Sequence, residues 1–89
     1  MPNKNKKERL ATLYETVSSM KTPLECKRFL EDLCTESELQ IMAQRLHAAK
    51  MLMEGKTYLQ VTEDTGLSSA TLSRISKCVQ YGKGYSRLK

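Results

Sequence analysis

Along the first half of the chain, apolar residues recur at the three- and four-residue spacing of a helix face. Leu10, Leu13, Tyr14, Val17 and Met20 follow it, which predicts a first amphipathic helix from about Lys6 to Met20. Thr22-Pro23-Leu24-Glu25 comes next. Thr22 can cap, Pro23 suits the first helical position, and Glu25 can return a bond to the Thr22 amide as a capping box. The helix so opened has Leu24, Phe29, Leu30 and Leu33 as its apolar members. Thr35-Glu36-Ser37-Glu38 repeats the box, with acids in the first turn, where the macrodipole favours them. It starts the longest predicted helix, about Glu36 to Glu54, roughly 28 Å long. Leu39, Met42, Ala43, Leu46, Ala49 and Met53 form the stripe expected to be buried, and Gly55 is the natural stop.

Beyond Gly55 the punctuation becomes more specific. Thr57-Tyr58-Leu59-Gln60 is a third capping box, opening a short helix from Tyr58 to about Thr65. Gly66 ends it, and Ser68 can cap a further helix from Ser69 towards Val79. Two helices joined by a turn of about three residues have the layout of a helix-turn-helix, whose second helix lies in the major groove. Val61 and Leu67 flank the turn, Leu72 and Ile75 face back from the second helix, and Thr62 is small enough to let the helices approach. If Leu72, Ile75 and Val79 face a core, then Ser69, Ala70, Ser73, Arg74 and Lys77 face outward. Small hydroxyl side chains let the backbone come close to DNA, and Arg can clamp a guanine edge bidentately. Ser69, Ala70 and Ser73 are candidates for base edges, Arg74 for a base or phosphate, and Lys77 for a phosphate. Ser68 at the cap and Thr71 in the first turn complete the candidate DNA-contacting set.

Charge distribution supports this reading. The net charge is +5, and all ten carboxylates lie at or before Asp64. Thr65 to Lys89 carries Arg74, Lys77, Lys83, Arg87 and Lys89 with no acid to offset them, a footprint suited to a polyanion. It is equally the composition of a solvated tail. With 89 residues, one helical domain spanning 1–89 is expected, its helices within 1–33 serving dimerisation, 36–54 forming the central helix and 57–79 the helix-turn-helix. A chain this short buries only roughly 60% of its unfolded surface, so a second subunit would help to stabilise it.

Other classes find little support. Cys26, Cys34 and Cys78 are odd in number and without CxxC spacing, against a disulfide framework or zinc site and for a reducing, cytoplasmic setting. No apolar run approaches ~20 residues, so no membrane span is expected. His47, the sole histidine, has no ligand-spaced companion; beside the buried stripe, it reads as a half-buried side chain or one near a dimer seam. No base stands paired with a nucleophile, so an enzyme is not expected. The competing class is a helix-turn-helix that binds another protein of the transcription machinery, its basic end meeting an acidic surface.

From Cys34 to Cys78, CTESELQIMAQRLHAAKMLMEGKTYLQVTEDTGLSSATLSRISK resembles the tryptophan repressor family, and its YerC/YecD-type repressor-like branch most of all. The shared features are the Thr-acid helix start, a long helix with an internal Arg45, the Gly55 stop and the Ala70-Thr71-Leu72-Ser73-Arg74 run. The resemblance implies an all-α fold of about six helices and an intertwined homodimer on double-stranded DNA, reading a roughly two-fold operator in successive major grooves. It also implies an effector pocket, since Thr35, Arg45 and Arg74 match the positions that hold tryptophan in the repressor. The family's glycine after the recognition-helix arginine is Ile75 here, however, and its hydroxyl residue is Cys78. Ile75 would fill the space an indole needs, so no tryptophan cofactor is expected. Arg45 is then an arginine on a helix surface, solvated or ion-paired with Glu38 or Glu54.

Overall fold

The computed structural model describes residues 2–88, with side chains from Asn5 onward. Among these residues all regular structure is helical: α1 (Pro2–Ser18), α2 (Pro23–Leu33), α3 (Glu36–Met53), α4 (Tyr58–Thr65), α5 (Ser69–Tyr81) and a 3₁₀ turn (Tyr85–Leu88). Five α-helices and that turn stand where about six helices were expected. The chain forms two compact units, one through Glu36 and the other from Ser37.

In the first unit, α1 begins before the predicted Lys6, because Pro2 is tolerated in a first helical turn and no breaker follows it. It ends at Ser18 rather than Met20, where hydroxyls compete for the last carbonyls. Ser18 Oγ donates to the Glu15 carbonyl at 2.9 Å and Ser19 Oγ to that of Thr16 at 2.6 Å. Thr22 caps α2 as expected, accepting the Glu25 N–H at 3.1 Å. The predicted return bond differs: Glu25 Oε2 accepts the amide of Lys21, at 3.4 Å, instead of that of Thr22. No described side chain of this unit is buried, and Leu10, Tyr14, Val17, Leu24 and Leu33 are all exposed within one chain.

The core lies in the second unit. Ala48, Ala49, Val61, Leu72, Ile75 and Val79 are buried together, with Met51, Leu52, Met53, Leu67 and Tyr85 packed around them. α3 stops at a Schellman motif: Gly55, at φ +89°, donates to the Leu52 carbonyl while Lys56 donates to that of Met51, both at 3.1 Å. The predicted α3 stripe is only partly right. Ala49 is buried and Leu39 and Met53 are half-buried, but Met42, Ala43 and Leu46 are exposed, while Ala48, off the stripe, is fully buried. Within a single chain, only the C-terminal half of α3 finds a surface to pack on. There two alanines leave room for the close approach of neighbours.

Leu72 and Val61 are the largest fully buried side chains. Truncating such a residue loses transfer energy and leaves a cavity. Leu72→Ala is expected to destabilise the fold by about 2–5 kcal/mol. Leu59→Ala, at a side chain that is 69% exposed, should cost about 0.5 kcal/mol or less. Urea unfolding followed by circular dichroism separates the two; equal losses would contradict this core.

Candidate nucleic-acid interface

Three local devices shape the α4–turn–α5 segment. The first is a complete capping box on α4: Gln60 N–H donates to Thr57 Oγ1 at 3.2 Å, and Thr57 N–H to Gln60 Oε1 at 2.9 Å. The second is the three-residue turn Gly66–Ser68. Gly66 sits at φ +74°, a left-handed conformation that costs a side-chain-bearing residue about 1–2 kcal/mol, and its N–H donates to the Thr62 carbonyl at 2.8 Å. Thr65 ties the turn from both sides, its hydroxyl donating to the Val61 carbonyl at 2.7 Å and accepting the Leu67 N–H at 3.2 Å. The third is the Ser68 cap on α5, whose Oγ accepts the Thr71 N–H at 3.2 Å. Thr62, expected between the helices, is exposed, and α4 is anchored instead by Val61 and half-buried Thr65.

α5 is two-sided. Leu72, Ile75 and Val79 are buried, whereas Ser69, Ala70, Ser73, Arg74 and Lys77 are exposed, as the spacing predicted. Ser68 is exposed too. Among the described residues no ion pair involves Arg74 or Lys77, so their charges are available to a partner. Thr71 departs from the outward set: it is half-buried, and Ser68 Oγ donates to its hydroxyl at 3.1 Å. Lys83 and Arg87 continue the acid-free basic surface beyond α5, and Lys89 lies outside the described residues.

Arg45 of α3 and Arg74, Ile75 and Cys78 of α5, expected together from the resemblance, do line one cavity of about 230 Å³, with Thr71 and Tyr85. Thr35 lies in the other unit, ahead of α3. Ile75 is only 4% exposed and belongs to the core, and it is also part of this cavity's wall. Sequence reasoning missed Tyr85. Tyrosine is a common core and surface residue, and nothing local distinguishes the half-buried Tyr85 from Tyr81, which is 81% exposed.

A second non-local link was also unforeseen. His47 Nε2 lies 2.8 Å from Asp64 Oδ2, joining α3 to α4. His47, expected to be half-buried or near a dimer seam, is instead exposed within one chain and paired with Asp64 across to α4. The three cysteines are free and half-buried, and no His, Cys, Asp and Glu cluster able to hold a metal occurs among the described residues. No described helix is long and apolar enough to cross a membrane.

Known proteins share this arrangement over nearly the whole chain. The model of the Trp repressor protein family matches residues 8–88. A Bacillus subtilis (strain 168) protein, described as uncharacterized protein YerC, is 48% identical over 73 residues, 82% of this chain and 70% of its own length. The crystal structure of a TrpR-like protein from Eubacterium eligens superposes with a TM-score of 0.84 at 41% identity, covering 97% of this chain and 90% of that one. A Staphylococcus aureus structure, assigned provisionally as a Trp repressor, gives 0.81 at 35% identity, covering 91% and 82%. With its helix-turn-helix, its acid-free outer face and these matches, the chain belongs to the Trp repressor protein family.

Proposed function

We propose that this protein is a sequence-specific DNA-binding transcriptional regulator, a repressor, that reads the major groove through α5 as a homodimer and without tryptophan as corepressor. The observation that carries this reading is the two-sidedness of α5. Its buried side is anchored in the core, and its exposed side offers Ser69, Ala70, Ser73, Arg74 and Lys77 with no carboxylate among them. The serines can approach base edges, Arg74 can take guanine or phosphate, and Lys77 a phosphate. Membership of the family supports the same use of the fold.

What one chain leaves uncovered supports the homodimer reading. Leu10, Val17, Leu24, Leu33, Ile41, Met42 and Leu46 are each 41–52% exposed, on helices whose apolar faces the chain does not cover by itself. Burial of apolar surface stabilises by about 25 cal/mol per Å², so a second copy is a ready source of missing stability. Tryptophan is disfavoured by Ile75, whose branched side chain lines the cavity between Arg45 and Arg74.

Selection from a sheared genomic library, at about 150 mM salt with excess unrelated duplex, should recover a roughly palindromic sequence. On that duplex Arg74→Ala should lose about 1–3 kcal/mol and relax specificity, whereas Lys77→Ala should weaken binding to all sequences and lower the salt slope by about 1. Unchanged affinity in both variants, at unchanged helix content, would remove α5 as the reading element and favour a protein partner. Sedimentation at micromolar concentration should give a dimer mass, and a monomer would overturn the two-fold arrangement. Titration calorimetry should show no heat with L-tryptophan, and its addition should leave DNA affinity unchanged; a tighter complex would restore the corepressor.

A further inference from the structure

The segment after α5 is more than a basic tail. α5 ends at Gly82, whose N–H donates to the Cys78 carbonyl at 2.9 Å. A Cβ built on Gly82 would stand 2.5 Å from that same carbonyl oxygen, closer than packed atoms tolerate. A side chain at Gly82 would therefore require the backbone to shift where the chain leaves α5. It then closes on itself, with Arg87 N–H donating to the Gly84 carbonyl at 3.1 Å and Ser86 Oγ to that of Lys83 at 3.2 Å. Of the four side chains in the 3₁₀ turn, Tyr85 is half-buried while Ser86, Arg87 and Leu88 are exposed. Tyr85 packs against the core and lines two cavities, one with Arg45, Thr71, Arg74, Ile75 and Cys78, the other with Cys78, Gly82, Lys83 and Gly84.

We propose that Tyr85 is a positioning residue for Arg74: the C-terminal turn supplies, from within the chain, the aromatic wall that sets the recognition-helix arginine for DNA. This rests on the DNA-binding reading above. An exposed arginine loses rotamer freedom when it is fixed on a base or phosphate, and a wall that limits its rotamers beforehand lowers that cost. Arg45 and Arg74 share the cavity with no carboxylate in its lining. The aromatic ring is the group there whose face attracts guanidinium groups without neutralising them. A carboxylate in its place would also hold Arg74, but would compete with the base edge for its guanidinium donors.

The test is a double-mutant cycle between Tyr85 and Arg74 in the full-length protein. The probes are the duplex recovered by genomic selection and an unrelated duplex of equal length. Tyr85→Ala is expected to weaken the selected duplex about tenfold, within the range usual for coupling between separate positions, and to leave the unrelated duplex unaffected. Tyr85→Phe, which keeps the ring, should restore wild-type binding. In an Arg74→Ala background, Tyr85→Ala should cost less than about twofold. A purely structural Tyr85 would weaken both duplexes alike, and an uncoupled one would act additively with Arg74→Ala; either result overturns the proposal. If Tyr85→Ala loses helix content, Tyr85→Leu takes its place in the cycle. If the wild-type protein prefers no duplex, the DNA reading and this inference fall together. If it does and Tyr85→Ala binds as tightly, only this inference falls.

Discussion

α5 is held along one side by Leu72, Ile75 and Val79, which are buried with Ala48 and Ala49 of α3 and Val61 of α4. Everything else in the second unit depends on that contact. A helix of 13 residues is marginal by itself in water, so its form comes largely from this buried face. The same burial fixes its rotation about its own axis. Once Leu72 and Ile75 point inward, Ser69, Ser73, Arg74 and Lys77 must point outward, because 3.6 residues make a turn. The left-handed Gly66 and the Thr65 hydroxyl then shape the turn between α4 and α5. Presentation of the outer face is a consequence of packing on the inner one.

How much of this was legible in the sequence depended on the range of the interaction. Caps and stops are local, so Thr22, Gly55, Thr57, Gly66 and Ser68 could be read directly, and each does what its residue type allows. Even the Glu25 error is a shift of one amide, from Thr22 to Lys21. The α3 stripe failed for a different reason. Periodicity shows that Met42 and Leu46 share a face with Ala49, but not where along the helix a partner begins and ends. His47 with Asp64, and Tyr85 with Arg74, lie 17 and 11 positions apart, beyond any spacing rule. The cavity residues Arg45, Arg74, Ile75 and Cys78 came from resemblance, and the structure brings them together.

The two units differ in a way that matters for stability. Among the described residues, all the buried side chains belong to the second, whereas the first has apolar residues but none buried within one chain. Helices such as α1 and α2 gain most of their stability from covering an apolar face. Propensity and caps alone, at about 1 kcal/mol for a Thr22-type cap, are too small to hold them. The energetic demand for a second apolar surface is therefore built into the composition of these helices, independently of any operator.

Ile75 connects stability to control. As a core member it helps to lock α5, and as a cavity wall it takes up volume beside Arg74. One position cannot serve both a rigid core and a roomy ligand pocket: a glycine would open the cavity and forfeit the buried side chain. In the proposed reading, the aromatic group beside Arg74 comes from the chain itself. Gly82 and Gly84 provide a path back, and Tyr85 provides the ring. Such a device is permanent, since a tethered group is not diluted as a free ligand is.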